Sequence, residues 1–259
     1  MFLMDEMKSK VVLITGASSG IGEGIAHAFA RKGASVSLCG RNAANLAKVA
    51  EKCVSEGATK ALEIVADLTK LGDMERLVDE TVAKLGQIDV LINNAGYCCA
   101  GGVEDATVAD FDMVFSVNLR APYYLIQRCI PHLKKTQGCV INTSSTYSLI
   151  CRPDTTHYSL TKVGLDHLTR CAALDLGKYG IRVNNVNPGL VITPIQETFV
   201  PRDQLAAFCE EFRSRTPLRG EMMTTHEIAD VVIFLASSGA KWITGTCIPV
   251  DQGRFLMGH

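Results

Sequence analysis

A chain of 259 residues, 47% of them hydrophobic, is long enough to bury a substantial core and short enough to form a single domain, 1–259. Its 26 basic and 27 acidic residues leave a formal charge of -1 and form no polybasic tract, which argues against nucleic acid or an anionic membrane and for a small, nearly neutral partner. The ten cysteines include no CxxC pair, and neither they nor the six histidines make a metal-binding pattern, so the thiols read as free in a reducing compartment.

The N-terminal MFLMDEMKSK carries acidic residues where a secretory signal needs a positive region, and no apolar run approaches the ~20 residues of a membrane span. A cytoplasmic location without a membrane span is expected. Short apolar runs then alternate with amphipathic segments. Strands are expected at 11–15, 35–39, 61–66, 88–93, 139–144, 181–187 and 246–251, each apolar enough to be covered on both faces. Helical patterns occupy 21–32, 42–56, 73–85, 104–117, 119–136, 156–179, 202–214 and 226–237. This alternation implies an α/β fold: one doubly wound parallel sheet of about seven strands with helices on both faces.

The first strand runs through TGASSGIG, 15–22, straight into a helix. Gly16, Gly20 and Gly22 permit a tight turn and close approach of a phosphate to backbone N–H groups at the helix start, and Ser18 and Ser19 add hydroxyl donors. In a doubly wound sheet this is where dinucleotides bind. Further along, HYSLTK at 157–162 puts Tyr158 and Lys162 on one face of the expected helix, where an ammonium favours phenolate and lowers the tyrosine pKa from about 10. Taken alone, such a pair reads rather as an amphipathic tyrosine beside a solvated lysine. Of the six tyrosines, however, Tyr158 alone has a lysine four residues on. Ser145, thirteen residues before it, ends the fifth strand at the carboxyl edge, where parallel sheets bind ligands. Ser144 stands beside it, so the choice between them rests on spacing.

TGASSGIG, NNAG at 93–96, the Ser145, Tyr158, Lys162 series and NPG at 187–189 together resemble the motif set of the short-chain dehydrogenase/reductase family, in its order and at its usual spacing. The likeness spans nearly the whole chain, down to VDQG at 250–253, where the family usually has VDGG. It implies a Rossmann-type domain, a nicotinamide cofactor and reversible carbonyl/alcohol redox chemistry. In the family's terms, Ser145 orients the substrate carbonyl, Tyr158 gives the proton, and Lys162 lowers the tyrosine pKa and holds the nicotinamide ribose. Asn118, in FSVNL, matches the family's helix-kinking asparagine, which holds a water joined to the lysine.

The resemblance also implies cofactor contacts at Gly16, Ser18, Ser19, Gly20, Ile21 and Gly22, and at Asp67 and Leu68. Further contacts are implied at Asn94, Ala95 and Gly96, at Tyr158 and Lys162, and at Pro188, Gly189 and Thr193. Asp67 is equally read as only the cap of the next turn, and Asn93 as a tie between strands. After the second strand, Gly40 stands where NAD-binding folds carry an acid, followed by Arg41 and Asn42. Arg41 can pair with a 2′-phosphate, so NADP(H) is expected over NAD(H); the alternative is a solvated arginine at a helix start.

A substrate lid is expected at about 194–225, where Phe199, Phe208, Phe212, Met222 and Met223 suggest an adaptable apolar cover or simple packing onto the core. The expected partner is a small lipophilic carbonyl or alcohol. A 3-oxoacyl thioester and a sugar or polyol remain compatible, and a non-catalytic NADP(H)-sensing or scaffold module is the alternative of another class. The resemblance implies a homo-oligomer, tetramer or dimer, joined through the helices at 104–136 and 156–179. No role is assigned to the vicinal pair Cys98-Cys99.

Overall fold

The computed structural model describes residues 6–218 and 221–258; residues 1–5 of the N-terminal segment, 219–220 of the expected lid and 259 lie outside the described residues. Alternation within the first strand, β1 (Val11–Thr15), shows how the layers arise. Val12 and Ile14 enter one core with Phe29, Val36 and Leu38, while Leu13 enters the opposite core with Leu91, Val140 and Val183. Successive side chains of a strand point to opposite faces, so a continuous apolar run must be covered twice.

The remaining strands are β2 (Ser35–Gly40), β3 (Lys60–Val65), β4 (Val90–Asn93), β5 (Cys139–Thr143), β6 (Arg182–Pro188) and β7 (Cys247–Val250). They form one parallel seven-stranded sheet in the order β3-β2-β1-β4-β5-β6-β7. The helices are α1 (Gly20–Arg31), α2 (Ala43–Ser55), α3 (Leu71–Leu85), α4 (Val108–Phe115), α5 (Ala121–Thr136), α6 (Thr156–Leu176), α7 (Leu205–Ser214) and α8 (Thr225–Ala236). Ile25, Leu46 and Val232 bring α1, α2 and α8 onto one face; Leu77, Leu125 and Leu176 bring α3, α5 and α6 onto the other. Strand order reverses between β1 and β4, and a crevice opens outside the carboxyl ends there.

Two expectations are corrected. The edge strands are not covered on both faces: β3 exposes Lys60, Glu63 and Val65, and every residue of β7 is half-buried. An edge lacks a neighbour on one side, so its apolar residues need not all be buried. The helices expected at 104–117 and 119–136 are one continuous run from Val108, because a π-turn over Ser116–Arg120 joins α4 to α5 instead of a break. The start moves to Val108 because Thr107 and Asp110 form a capping box, each side chain taking the other's backbone N–H. Among the described residues, no helix is long and apolar enough to cross a membrane.

Candidate active site

A cavity of about 410 Å³ runs along the carboxyl edge of the sheet, from the β1–α1 turn to the α7 helix. At its first end lie Gly16, Ser18, Ser19, Gly20 and Ile21. The turn is closed by contact: a Cβ on Gly22 would sit 2.3 Å from the Gly16 carbonyl oxygen, so a glycine is required for α1 to start against the strand. Gly22 therefore shapes the turn from behind rather than lining the cavity. Asn94 holds the same turn from β4, its Nδ2 donating to Thr15 O at 3.0 Å and Gly16 O at 3.3 Å, while Ala95 N–H donates to Thr15 Oγ1 at 3.1 Å. The Ser19 side chain makes no capping bond, so the first N–H groups of α1 have no side-chain acceptor beside the cavity.

Arg41, Asp67, Leu68, Ala95, Gly96, Pro188, Gly189 and Thr193 all line this cavity; Asn42 and Asn118 do not. Asn42 is occupied as the cap of α2, accepting from Asn45 N–H at 3.0 Å. Asp67 is a cap and a cavity wall at once: its Oδ1 accepts from Thr69 N–H and hydroxyl at 3.0 and 2.8 Å, bonds that hold its carboxyl below the usual range. The Thr193 hydroxyl donates to Gln196 Oε1 at 3.1 Å in the box that starts the turn Pro194–Thr198.

Tyr158, Lys162 and Asp166 follow one another at four-residue spacing along α6, which puts all three on one face. Lys162 is 3% exposed, its Nζ donating to Thr143 O at 2.8 Å and standing 5.3 Å from the Tyr158 ring centroid. The two candidate serines separate by what they bond. Ser144 is buried with its hydroxyl on the Lys162 carbonyl at 3.3 Å; Ser145 is half-buried and caps the short turn Thr146–Ser148 by accepting Tyr147 N–H at 3.1 Å. Tyr147, unanticipated from sequence, packs edge-on against Tyr158 with ring centroids 6.0 Å apart.

The expected electrostatics are corrected in direction. Burial, with the Cys98 thiol beside it, pushes the Tyr158 phenol up, and the Ser145 hydroxyl opposes that shift without reversing it. Burial lowers Lys162 to about 8 from 10.5, against the pull of the Asp166 carboxylate. Desolvation penalises the charged form of both groups, and the ammonium is itself depleted by the burial that brings it close. In this state the neutral phenol is the favoured form. Such a group is a proton donor, and removal of its proton requires stabilisation of the phenolate.

Behind the cavity runs a polar network of which the motifs reveal only Asn93, expected as a tie between strands. Asn93 Nδ2 donates to Asn142 Oδ1 at 2.9 Å, and Asn142 Nδ2 to Thr169 Oγ1 at 2.8 Å. Asp166 accepts from Asn185 Nδ2 at 2.8 Å and Asn187 Nδ2 at 3.0 Å, which ties α6 to β6. Sequence offers one signal for it: asparagines recurring in strands otherwise apolar. Asn118 is fully buried in the π-turn; its Oδ1 accepts Tyr97 N–H and its Nδ2 donates to Tyr97 O, both at 2.8 Å. That ring of bonds fixes the Gly96–Cys98 wall of the cavity. Cys98 lines the wall, its thiol pushed up to about 12 by burial, while Cys99 Sγ lies 3.0 Å from His157 Nε2.

The far end is aromatic. Phe199, Phe208 and Phe212 line it, with Phe199 and Phe208 edge-to-face at 6.2 Å. The paired methionines are not part of that lining: Met223 is 8% exposed and packs in the core. The residues fit a nicotinamide dinucleotide. A glycine-lined helix start suits a pyrophosphate, and the bond to Thr143 O accounts for one of the three Lys162 N–H donors, leaving two for ribose hydroxyls.

Comparison with known proteins agrees with this geometry. The family described as Enoyl-(Acyl carrier protein) reductase matches residues 16–254. Glucose 1-dehydrogenase of Gluconobacter oxydans is 35% identical, covering 98% of this chain and 95% of its own length. Meso-2,3-butanediol dehydrogenase of Serratia marcescens is 36% identical over 95% of this chain and 94% of its own. The crystal structure of 3-ketoacyl-(acyl-carrier-protein) reductase from Brucella melitensis complexed with NADH superposes with a TM-score of 0.87 at 32% identity, covering 96% of this chain and 99% of that one.

The depressed pKa of Lys162 makes stability depend on pH. Between pH 8 and 10.5 the unfolded chain keeps a proton that the folded chain has lost, so stability rises with pH across that window and the gain is lost as pH falls through 8. Denaturant unfolding of wild type and Lys162→Met at pH 7 and pH 9.5 is expected to show wild type gaining roughly 2 kcal/mol more than the variant. Parallel pH dependences would mean that Lys162 is not buried as described.

Proposed function

Because the chain belongs to the short-chain dehydrogenase/reductase family, we propose that it is an NADP(H)-dependent oxidoreductase acting on a carbonyl or alcohol group of a small lipophilic molecule. The observation that carries this reading is the gathering of Ser145, Tyr158 and Lys162 on one wall of the cavity that begins at the glycine turn. A nicotinamide held there would supply a hydride to the carbonyl carbon in reduction or take one from the alcohol carbon in oxidation. Tyr158 gives its proton to the carbonyl oxygen as negative charge grows there, and the Ser145 hydroxyl donates a hydrogen bond to the same oxygen. Lys162 holds the cofactor ribose and stabilises the phenolate left behind. In oxidation the phenolate takes the alcohol proton. Asn118 acts as a positioning residue, through the wall it clamps.

Cofactor choice is read from the end of β2. A Cβ on Gly40 would lie 3.0 Å from both Cβ and Oγ of Ser18, so any larger residue there would require the Ser18 side chain to give by a few tenths of an ångström. Arg41 is exposed on the cavity rim, and its fork matches a 2′-phosphate. Gly16, Ser18, Ser19, Gly20, Ile21, Asp67, Leu68, Asn94, Ala95, Gly96, Pro188, Gly189 and Thr193 complete the cofactor wall, which Gly22 shapes from behind, with residues 194–225 as the substrate lid of a single domain, 1–259. The aromatic lining favours a lipophilic substrate over a polyol. Ten free thiols suit a cytoplasmic enzyme. Exposed Val108, Tyr123, Leu160 and Val163 on α4, α5 and α6, between 49% and 76% accessible, suit a homo-oligomer joined through those helices.

Three measurements test this reading. Loss of reduced-nicotinamide absorbance with a panel of diketones, aromatic aldehydes and steroid ketones is expected to fall ~10²–10⁴-fold in Tyr158→Phe, with NADPH affinity unchanged; retained turnover would sink the assignment, and NADPH binding without any turnover would favour a sensor. In Arg41→Ala, NADPH affinity is expected to drop about 10- to 100-fold while NADH affinity stays level; equal losses for both would return Arg41 to a solvated side chain. Light scattering should give a multiple of 28.0 kDa, and a monomer would remove the oligomer without touching the chemistry.

A further inference from the structure

The reaction proposed above uses two hydroxyl donors, and the cavity holds a third. Ser145 and Tyr158 both donate to the reacting oxygen, and a carbonyl oxygen has two lone pairs, so between them they fill it. Tyr147 brings another phenol to the same cavity. It sits in the short turn Thr146–Ser148, which is pinned by Tyr147 N–H donating to Ser145 Oγ at 3.1 Å and by Ser148 Oγ donating to Ser145 O at 2.8 Å. Asn187 of β6 holds the turn from the sheet, its Nδ2 donating to Ser148 Oγ at 2.9 Å. The Tyr147 ring meets the Tyr158 ring edge-on, 89° between planes and 6.0 Å between centroids. Tyr147 is therefore held in place relative to both Ser145 and Tyr158, and the chemistry uses it for nothing.

Burial pushes the Tyr147 phenol up, so it keeps its proton at neutral pH, and the positive charge of Arg152 opposes that rise without reversing it. Arg152, whose guanidinium carbon is 5.9 Å from the Tyr147 ring centroid, has N–H donors and no acceptor. Its contact with the phenol oxygen leaves the phenol's own proton unspent. Charge on the Tyr147 phenol would push Tyr158 still higher, which shows that the two hydroxyls lie close enough to act on one another. The lid side chains lining this end, Ile195, Phe199, Phe208 and Phe212, have no hydrogen-bonding atoms. A substrate oxygen brought against them would lose its water and gain no partner, which is unfavourable. Beside Tyr147 the same oxygen gains a neutral phenol donor.

Resting on the oxidoreductase reading, we propose that Tyr147 is a specificity-determining residue that donates a hydrogen bond to a second, uncharged oxygen of the substrate, close to the reacting carbonyl. Because the Tyr147 and Tyr158 rings are in edge contact, that oxygen is placed at the α or β position rather than at a distant end of the molecule. The lipophilic remainder lies along Phe199, Phe208 and Phe212. A ketone of the same shape with a methylene in place of the oxygen leaves the phenol proton without an acceptor, and a site built to hydrogen-bond a substrate discriminates against such an analogue.

Two pairs of ketones test this by binding calorimetry, with the protein saturated by oxidised nicotinamide dinucleotide so that no ketone is reduced. 2-Methoxy-1-phenylethanone is paired with 1-phenylbutan-1-one, and 3-methoxy-1-phenylpropan-1-one with 1-phenylpentan-1-one; within each pair an ether oxygen replaces a methylene. Wild type is expected to bind the methoxy ketone of at least one pair about fivefold or more tightly than its twin, and Tyr147→Phe, which keeps the ring and its packing, is expected to lose or reverse that preference. The pair that shows it gives the position of the oxygen. Thermal melting checks the folding of the variant, and the comparison within wild type stands without it. No preference for the methoxy ketone in either pair, failure of both methoxy ketones to bind, or a preference that survives in Tyr147→Phe would overturn the proposal. The oxidoreductase reading fails differently: an oxygen preference without turnover of any carbonyl sinks that reading, whereas turnover without an oxygen preference sinks only the role of Tyr147.

Discussion

A lysine ammonium buried to 3% exposure is the constraint around which the centre of the molecule is arranged. Taking that charge out of water is unfavourable, and it is tolerated because Thr143 O accepts from Nζ and the Asp166 carboxylate stands one helical turn further along the same face. Asp166 must itself be satisfied, and Asn185 and Asn187 of β6 donate to it. Asn142 and Thr169 extend the bonding to β5. A buried polar network of this kind rigidifies to the extent that its members are paired; among the described residues Asn93 Oδ1 and Asn187 Oδ1 are left without partners. Here it locks α6 against β5 and β6, and so fixes where Tyr158 and Lys162 point.

The same burial sets the acid-base character of the site. Desolvation moves the phenol up and the ammonium down, each toward its neutral form, so proximity alone does not make a phenolate. The sheet supplies the complementary half of the arrangement. Reversal of strand order between β1 and β4 opens a crevice at the carboxyl edge, and the glycine turn at one end and α6 at the other share it. The Asn118 clamp on Tyr97 and the Asn94 clamp on Thr15 hold the intervening wall by side chain to main chain bonds, in places where no strand partner is available.

Much of this was legible in the chain. Alternating apolar runs and amphipathic stretches specify a parallel sheet because both faces of its inner strands must be covered, and Val12, Leu13 and Ile14 divide between the two cores as that rule requires. The spacing of Tyr158 and Lys162 places them on one helical face through local geometry alone, and the glycines of TGASSGIG announce a turn through local sterics. Less legible were the features that depend on what lies opposite. The edge exposure of β3 and β7 follows from sheet order, and although the family resemblance marked Asn118 as a helix kink, its bonds to the backbone of Tyr97, 21 residues away, follow from packing.

The sequence by itself determined the fold class, the glycine turn and the helical face that carries Tyr158 and Lys162, because each rests on periodicity or on contacts between near neighbours. Only the tertiary structure decided that the phenol is pushed up rather than down, that Ser144 is spent on the Lys162 carbonyl while Ser145 is not, and that the far wall is built from Phe199, Phe208 and Phe212 rather than from the methionines. The direction of a pKa shift, the partner of a hydroxyl and the side of a wall all depend on burial and on groups brought together from distant parts of the chain. Those are properties of the packed fold, and spacing along the chain does not encode them.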